Sequence, residues 1–510
     1  MDTKALRQKI LDLAIRGKLV PQDPNDEPAS VLLERIRAEK QQMVKDGKLK
    51  AKDIKNDTVI FVGEDNLHYE KFPDGSVKCI EEEIPFALPQ GWEWCRLGVI
   101  FMHNTGKALN TSNTAGRKMT YITTSNLYWD RFELDSLKEM YFSESEIEKC
   151  SVRKGDLLVC EGGDIGRAAV WKNEDTIRIQ NHIHKLRPYV DIAIYYFYYL
   201  FYYYKNQNLI DGKGIGIQGL SSSMLHAVLV PLPSYKEQFR IVEQVKRYFE
   251  LLEYIDNEKL DLFNAIQLAK FKILDLAIRG KLVPQDPNDE PASVLLECIR
   301  AEKEDLIKQG KIKRDKKESV IFRGEDNSYY DIEIPHTWMW AKLNFISYRI
   351  SDGSHNPPTD KGVGIPLLSA ANIVDYDINI KAANRWITET EWLEETTRTQ
   401  LETNDILLTI VGSIGRTAVV NTDNKFAFQR SVAIIKPCIV YSKYLMYILT
   451  APPISQYLIA NSKGTAQKGI YLKQLSDIFI PIPPVAEQSR IVSTIETAFA
   501  QLDGIANAIV

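Results

Sequence analysis

The pattern of hydrophobic and polar residues changes character along the chain. Short apolar runs such as DLLVC (156–160) and DILLTI (405–410) alternate with turn residues, which predicts strands in compact α+β domains of about 150 residues. Residues 234–279 differ, because these 46 positions contain neither Gly nor Pro. Apolar residues recur there at three- and four-residue steps: Val242, Val245, Phe249, Leu252, Phe263, Ile266 and Ile273. We therefore predict a helix of up to about 69 Å, which the polar run 256–259 could interrupt.

The same helical pattern returns at the C-terminal end, in Ile491, Ile495, Phe499, Leu502 and Ile509. Residues 487–510 correspond to 237–260, and residues 1–16 correspond to 264–279. Together the two ends would make one further copy of the long central helix. We expect them to lie end to end as a second rod, antiparallel to the first; separate surface helices are the alternative.

A long repeat explains this correspondence. Residues 9–40 return as 272–303 with one change in 32 positions, Arg35 to Cys298. Further pairs of segments match in the same order: 59–70 with 320–331, 91–97 with 337–343, 154–170 with 403–419, and 230–242 with 480–492. The chain is therefore a tandem duplication whose flanks are nearly unchanged and whose centres have diverged.

The predicted architecture is α+β, with two pseudo-twofold-related domains separated by two long antiparallel helices that form a coiled-coil spacer. The segments are an N-terminal helix (1–18), a repeated arm (19–83), a first domain (84–235), a central helix (236–281), a second arm (282–333), a second domain (334–485) and a C-terminal helix (486–510).

Composition narrows the class of protein only a little. The formal net charge is −4, and 44% hydrophobic with 26% charged residues is ordinary for a globular protein. Six cysteines without a CxxC pair and a polar start, MDTKALRQKI, indicate a reduced cytoplasmic protein. The tyrosine-rich run 194–205 is too short to cross a bilayer, so we expect a packed helix and no membrane association.

Motifs for catalysis are weak. HNPPTD (355–360) resembles the Asn-Pro-Pro-aromatic turn of an amino-methyltransferase, but Thr359 replaces the aromatic residue. GKGIGIQG (212–219) lacks the Gly-Lys-Ser/Thr of a P-loop. His182 and His184 could share a strand face, yet no third metal ligand is suggested. We therefore predict a binding protein without catalytic residues or a metal.

Isolated cations beside glycine are the best candidates for binding. They include Arg167 and Arg416 in two GxIGR segments, together with Lys107, Arg117, Lys118, Lys213 and Lys463. Glycine lets the backbone approach a phosphate closely, and Arg or Lys supplies the opposite charge. The alternative for each GxIGR segment is a tight turn with a solvated arginine.

Several of these features together resemble one family. The duplicated layout, the two GxIGR turns, SDGSHNPPT (351–359), the repeated AIRGKLVPQDP, and the Pro-x-Pro-x-x-x-Glu-Gln-x-Arg-Ile-Val entries to each long helix are similar to the specificity subunits of Type I restriction-modification enzymes. The resemblance covers essentially the whole chain. The first half departs from it, because HNTGKALN stands where an Asp-Gly-Ser-His segment is expected.

The resemblance implies two target-recognition domains, each reading one half of a bipartite sequence in double-stranded DNA. It also implies two methylation subunits that bring S-adenosylmethionine and an adenine-methylating site, and restriction subunits that bring ATP, Mg²⁺ and cleavage. The chain itself would hold no cofactor. Two copies of one partner would need two copies of one docking surface, which accounts for the unchanged flanks; gene conversion is the competing cause.

Predicted site residues follow from the cations and from the resemblance. The predicted DNA-binding residues are Lys107, Arg117, Lys118, Arg167, Lys213, Ser354, His355, Arg416, Lys463 and Lys468, and the predicted partner-docking residues are Glu237, Gln238, Arg240, Glu487, Gln488 and Arg490. Two other functions stay open. One is a helical adaptor that holds two identical proteins without DNA, and the other is an unrecognised methylase or nuclease.

Overall fold

The structure, a computed structural model, describes residues 2–54, 57–110, 114–210, 219–314, 328–464 and 468–509. The chain divides into two compact units, Met1–Glu258 and Lys259–Val510. Each unit combines helices with short strands, and the elements follow one another in a similar order in both. The α+β class and the duplication are thus confirmed. The division into seven segments and the end-to-end placement of the terminal helices stay predictions.

The first unit begins with two helices and a small meander and continues into a strand-rich centre. Its elements are α1 (Thr3–Ile15), α2 (Ala29–Lys45), β1 (Val59–Val62), β2 (His68–Lys71), β3 (Val77–Cys79), β4 (Glu93–Arg96), α3 (Leu97–Ile100), β5 (Phe101–Thr105), β6 (Arg117–Ile122), β7 (Leu127–Tyr128), β8 (Arg131–Phe132), β9 (Lys138–Phe142), α4 (Glu144–Cys150), β10 (Ser151–Val152), β11 (Leu157–Cys160), β12 (Ala168–Val170), β13 (Ile177–Ile179), β14 (Ile183–Pro188), α5 (Ile194–Asn206), α6 (Ser222–His226), β15 (Leu229–Leu232) and α7 (Tyr235–Ile278).

The helix predicted between Pro233 and Gly280 is confirmed as α7, a single element of 44 residues that the polar run 256–259 does not interrupt. It begins in the first unit and ends in the second. The elements that follow are α8 (Ala292–Lys308), β16 (Ser328–Tyr329), β17 (Ile332–Glu333), β18 (Met339–Lys342), β19 (Ser347–Asp352), β20 (Ile365–Leu368), β21 (Ile373–Val374), β22 (Asp377–Ile378), β23 (Trp386–Ile387), α9 (Glu389–Thr399), β24 (Ile406–Thr409), β25 (Thr417–Val419), β26 (Ala427–Phe428), β27 (Val432–Pro437), α10 (Ser442–Thr450), α11 (Pro452–Ala460), α12 (Leu472–Ser476), β28 (Phe479–Ile482) and α13 (Val485–Ile509).

Two sheets form the centre of the first unit. One is antiparallel in the order β12-β11-β14-β5, and the other has the order β10-β13-β6-β9 with β13 and β6 parallel. Their facing side chains, among them Leu158 and Ile183 from the first sheet and Ile122 and Ile179 from the second, share one hydrophobic core. Strands such as DLLVC are continuous apolar runs because both faces of the sheet are covered.

The second unit repeats this arrangement, and the part of it that the structure describes has three strands in the second sheet where the first unit has four. Its sheets have the orders β19-β27-β24-β25 and β23-β20-β26, and β20 and β26 are again parallel. Leu407 and Ile434 from one sheet and Leu368 and Phe428 from the other lie in a common core. The two centres therefore keep one scaffold although their sequences have diverged.

A junction at the start of each long helix joins it to the rest of its unit. In the first unit Trp92 Nε1 donates to Glu237 Oε2 at 2.9 Å, and Arg240 Nη2 donates to Asp26 Oδ2 at 2.6 Å. In the second unit Trp338 Nε1 donates to Glu487 Oε2 at 3.0 Å, and Arg490 pairs with Asp289. We call these residues the junction of each unit.

The junction corrects part of the predicted docking surface. Glu237, Gln238, Glu487 and Gln488 are all buried within the chain itself. The Gln488 carboxamide, for example, accepts a hydrogen bond from Tyr441 N at 2.9 Å and donates to Pro483 O. These four side chains therefore seat the helix instead of facing a partner. Arg240 and Arg490, whose side chains are about one third exposed, stay predictions.

One glycine in each repeat fits against the junction. Gly17 (φ +66°) and Gly280 (φ +64°) have left-handed backbones, and a Cβ atom would overlap Pro89 and Trp92 in the first case and Pro335 in the second. Only glycine readily adopts a left-handed backbone and also lacks the Cβ atom that would overlap these neighbours. Part of the repeated sequence is therefore fixed by contacts inside each unit.

The tyrosine-rich run forms α5, whose residues Tyr196–Phe201 are all buried, as the prediction of a packed helix required. Across the described ranges, no helix combines the length and the apolar character needed to cross a membrane.

Candidate nucleic-acid interface

Four loops meet at one end of the two sheets in the first unit, and backbone hydrogen bonds join each loop to the next. The bonds run from Lys107 N to Ile179 O (3.0 Å), from Asn181 N to Lys107 O (3.0 Å), from Gln180 N to Ile122 O (3.0 Å) and from Glu161 N to His182 O (2.9 Å). We call residues 106–107, 122–126, 161–167 and 180–183 the loop cluster of this unit. It gathers four segments that are separated in the sequence.

The second unit has an equivalent loop cluster, formed by residues 353–354, 368–372, 410–416 and 429–432. The matching bonds run from Ser354 N to Phe428 O (2.7 Å), from Arg430 N to Ser354 O (2.9 Å), from Gln429 N to Leu368 O (2.9 Å) and from Ile410 N to Ser431 O (2.9 Å). The backbone design is therefore shared, while most of the side chains that it presents differ.

In each cluster one glycine lies directly against the backbone of a neighbouring segment. A Cβ atom on Gly106 would overlap Ile179 O and Gln180 O, and one on Gly353 would overlap Phe428 O and Gln429 O. HNTGKALN and SDGSHNPP are thus structural equivalents that share this glycine. Although HNTGKALN lacks the Asp-Gly-Ser-His sequence, it occupies the same position in the fold as SDGSHNPP.

The residue after each glycine is an anchor, which corrects the prediction that Lys107 and Ser354 contact DNA. Lys107 Nζ donates to Glu146 Oε2 and to Tyr141 O, both at 2.7 Å, and its side chain is buried. Ser354 is also buried, and its Oγ donates to Glu395 Oε1 at 2.7 Å. Both side chains tie the loop cluster to the following helix, α4 or α9.

The GxIGR segments form the same turn but place their arginines differently. Gly166 N donates to Cys160 O and Gly415 N donates to Thr409 O, both at 3.0 Å. Arg167 then turns inwards: Nη2 donates to Thr124 O at 2.7 Å, and only 17% of its side chain is exposed. Its guanidinium therefore joins two loops of the cluster, and the DNA contact of Arg167 stays a prediction. Arg416 is exposed, so its DNA contact stays a prediction.

The other predicted contacts lie on the surface. Arg117 and Lys118, at the start of β6, are exposed and pair with Glu144 (3.0 Å) and Glu139 (2.8 Å). Such exposed pairs exchange partners at little cost, so both cations can still meet a phosphate. Lys463 and Lys468 are exposed as well. Lys213 lies outside the described residues.

His355 is half exposed, and the aspartate of its SDGSH segment, Asp352, orients it. His355 Nε2 lies 2.7 Å from Asp352 Oδ2. The carboxylate fixes the direction of the ring and leaves the opposite ring nitrogen turned away from Asp352. A DNA contact by His355 remains a prediction.

Three histidines form a network in the first unit that the sequence alone did not indicate. His184 Nε2 donates to Leu220 O at 2.6 Å, so its Nδ1 accepts from His103 Nε2 at 2.8 Å. The His226 ring stands edge-on to His103, with centroids 4.8 Å apart. Burial, with the neighbouring histidines, lowers the pKa of His103 to about 3.

Burial therefore disfavours the charged form of His103. Burial also lowers the pKa of His184 and of His226. No three His, Cys, Asp or Glu residues within the described ranges are placed to hold a metal ion. The network fixes Leu220 to the sheet next to the loop cluster. The second unit has Ile350, Ala433 and Ser476 at the corresponding positions, so it does without this network.

One further pair of polar residues escaped the sequence analysis. Gln180 and Gln429 occupy the same place in the two clusters, and both are half-buried. The signal was present in the sequence, as IQNHIHKL (179–186) against FQRSVAII (428–435). One shared glutamine does not by itself indicate that two segments are equivalent. The backbone hydrogen bonds of the two clusters establish the equivalence.

Comparison with known proteins gives consistent results. A family model described as "Type I restriction modification DNA specificity domain" matches residues 89–262 and 363–509. The chain is 28% identical to the Type I restriction enzyme EcoAI specificity subunit of Escherichia coli, covering 97% of this chain and 88% of that protein. It is also 28% identical to the EcoEI specificity subunit of the same organism, over 98% of this chain and 89% of that protein.

The fold is similar to that of a chain in a solved structure described as the structural basis of complex assembly and conformational transition of the type I R-M system. The TM-score is 0.52 and the sequence identity is 18%. The match covers 83% of this chain and 94% of that one.

Proposed function

The chain belongs to the family of Type I restriction-modification DNA specificity domains, and we propose that its two loop clusters each read one half of a bipartite DNA target. The observation that carries this proposal is the repetition itself. Two clusters have the same backbone bonds, yet they present Arg167 turned inwards in one unit and Arg416 exposed in the other. Two readers on one scaffold with different side chains suit a target with two different halves.

In this proposal the chain supplies recognition and its partners supply the chemistry. Two methylation subunits would bring S-adenosylmethionine and methylate adenine, and restriction subunits would bring ATP, Mg²⁺ and cleavage. This chain would act as a non-catalytic subunit in the cytoplasm. The threonine after Asn356-Pro357-Pro358 supports that division, because no aromatic ring stands there to stack on an extruded base.

The repeated arms are the proposed docking surfaces for the methylation subunits. Contacts inside each unit account for Gly17, Gln22, Asp26 and their counterparts, but they involve only part of loop 21–28. That loop and its copy, 284–291, are almost wholly exposed and identical in sequence. Immediately after the repeat, the partly exposed residues QQMVKD (41–46) correspond to EDLIKQ (304–309), in which only the lysine is unchanged. A partner that binds twice would preserve the one surface and leave the other free to change.

A helical adaptor that binds no DNA is the second candidate, and charge is the observation in its favour. Residues 84–235 contain 16 Lys and Arg against 15 Asp and Glu, and residues 334–485 contain 14 against 12. Each centre is thus nearly neutral. A local basic surface can still bind DNA on a neutral domain, so only an experiment separates the two functions.

The deciding experiment exchanges one centre. The chain is assembled with its methylation subunits, residues 84–235 are replaced by the matching segment of a relative, and the methylated sequences of a host genome are read. We expect one half of the target to change and the other half to persist. The unaltered complex should also bind its target with an affinity that falls steeply as salt rises. Binding of both partners without any salt-dependent DNA binding would favour the adaptor.

The non-catalytic role has its own test. The isolated chain is incubated with DNA and S-adenosylmethionine that carries a labelled methyl group. We expect no transfer of label and no cleavage. Transfer that Asn356→Ala abolishes would place a methylase site in this chain and overturn the assignment.

A further inference from the structure

Gln180 and Gln429 hold equivalent positions at the exits of β13 and β26. In each unit the glutamine N–H bonds to the neighbouring parallel strand, at Ile122 O or Leu368 O. Its carbonyl accepts from the residue three positions on, Ile183 N at 3.0 Å or Val432 N at 3.2 Å. Each glutamine therefore opens a tight turn whose backbone is fully specified.

The carboxamides of these glutamines have no hydrogen-bonding role among the residues that the structure describes. Both side chains are half-buried, and neither makes a hydrogen bond to any residue in the part of the chain that the structure describes. Buried polar groups are generally hydrogen-bonded, whereas partly exposed ones such as these can be left to solvent. The stability of the turn therefore does not explain why both units have glutamine here.

The surrounding side chains have changed freely. Asn181 corresponds to Arg430 and His182 to Ser431, and the anchors Lys107 and Ser354 differ as well. Glutamine thus stays constant at this position, while the two residues that follow it in the turn vary. A residue that is the same in both units is suited to contact a feature that both half-sites share.

We propose that Gln180 and Gln429 each contact an adenine in their own half-site. This inference rests on the proposed function, in which both half-sites are methylated on adenine and must therefore both contain one. The chemistry agrees for an adenine that is still stacked in the duplex, before a methylation subunit extrudes it, because a glutamine carboxamide can donate to N7 and accept from the N6 amino group in the major groove. The divergent residues around it would then distinguish the remaining bases.

The experiment measures DNA binding by the chain assembled with its methylation subunits. Gln180→Ala and Gln429→Ala are compared with wild type on the specific target, and then on targets in which one adenine at a time is replaced by 7-deazaadenine, which lacks the N7 acceptor. We expect each substitution to weaken binding about 5- to 150-fold, the range of one bidentate base contact. For each variant, one adenine replacement should cause no further loss, and the two adenines should lie in opposite half-sites.

A matched control removes the same side chain elsewhere. Gln41→Ala deletes an exposed carboxamide from α2 and should leave DNA affinity unchanged. Urea unfolding of all variants checks that the turns remain folded. A loss that is equal for every DNA sequence, with a salt slope smaller by about one, would indicate a phosphate contact and overturn the adenine assignment.

Two other outcomes separate this inference from the proposed function. Unchanged binding by both variants, with sequence-specific binding by wild type, would reject the glutamine contact alone. Absence of sequence-specific binding by the wild-type complex would reject the function on which the contact depends.

Discussion

The junction and the loop cluster lie in different parts of each unit, and they differ in what the duplication has preserved. In the junctions the side chains themselves are retained: Trp92 and Trp338 donate to Glu237 and Glu487 with nearly the same geometry. In the loop clusters the backbone bonds are retained, whereas Lys107 has become Ser354 and His103 has become Ile350. Buried interlocking side chains resist change. A surface held together by its backbone can vary its side chains and keep its shape.

The largest effect should come from filling the space at a junction glycine. Gly17→Ala places a Cβ atom onto Pro89 and Trp92 in a left-handed conformation, and we expect the free energy of unfolding to fall by about 2–5 kcal/mol. Gly47 is the matched control, because its φ is +70° and nothing lies within 4 Å of a Cβ there. Gly47→Ala should cost only about 1–2 kcal/mol in urea unfolding. Equal losses would show that the junction is loosely packed.

The next effect should separate the two GxIGR arginines. Arg416→Ala should leave urea unfolding unchanged and weaken DNA binding, by about 1–3 kcal/mol at one position if it contacts guanine, or with a salt slope smaller by about one if it contacts phosphate. Arg167→Ala should instead reduce stability by about 1–3 kcal/mol, because Thr124 O loses its charged donor. If both variants lost DNA affinity at full stability, the inward position of Arg167 would be contradicted.

The smallest effect concerns pH. Burial raises the pKa of the Glu237 and Glu487 carboxyls, and the bonds from Trp92 and Trp338 offset this only in part. Folding therefore disfavours their charged forms, so the junctions are weakest above the folded-state pKa. They strengthen as pH falls through it towards the unfolded value of about 4.3.

Glu237→Gln and Glu487→Gln test this, because glutamine keeps an acceptor for the indole and cannot ionise. We expect each variant to be more stable than wild type at pH 8, and the difference in unfolding free energy to shrink towards pH 5. A difference that grows as pH falls would mean that the carboxylates are held in their charged form.

The sequence predicted the duplication and α7 because both depend on local pattern. It could not predict the anchors, since Lys107 meets Glu146 and Ser354 meets Glu395 about 40 positions further along the chain. Nor could it distinguish Arg167 from Arg416, because the partner of Arg167 is a backbone carbonyl brought close by folding. The burial of Glu237 could not be predicted from the sequence either, since a charged residue at the start of a helix ordinarily faces solvent.

The continuity of α7 bears on how such a chain could have arisen. Its first half, with α1, belongs to the core of the first unit, where Arg7 pairs with Asp256 at 3.1 Å. Its second half, with α13, belongs to the core of the second, where Lys270 pairs with Asp503 at 2.5 Å. A gene that encoded one unit alone would thus encode both of the long-helix segments that pack into the core of that unit. Joining two such genes head to tail requires only that the last turn of one helix continue into the first turn of the next. Fusion at that point adds a covalent link and leaves both ancestral cores intact.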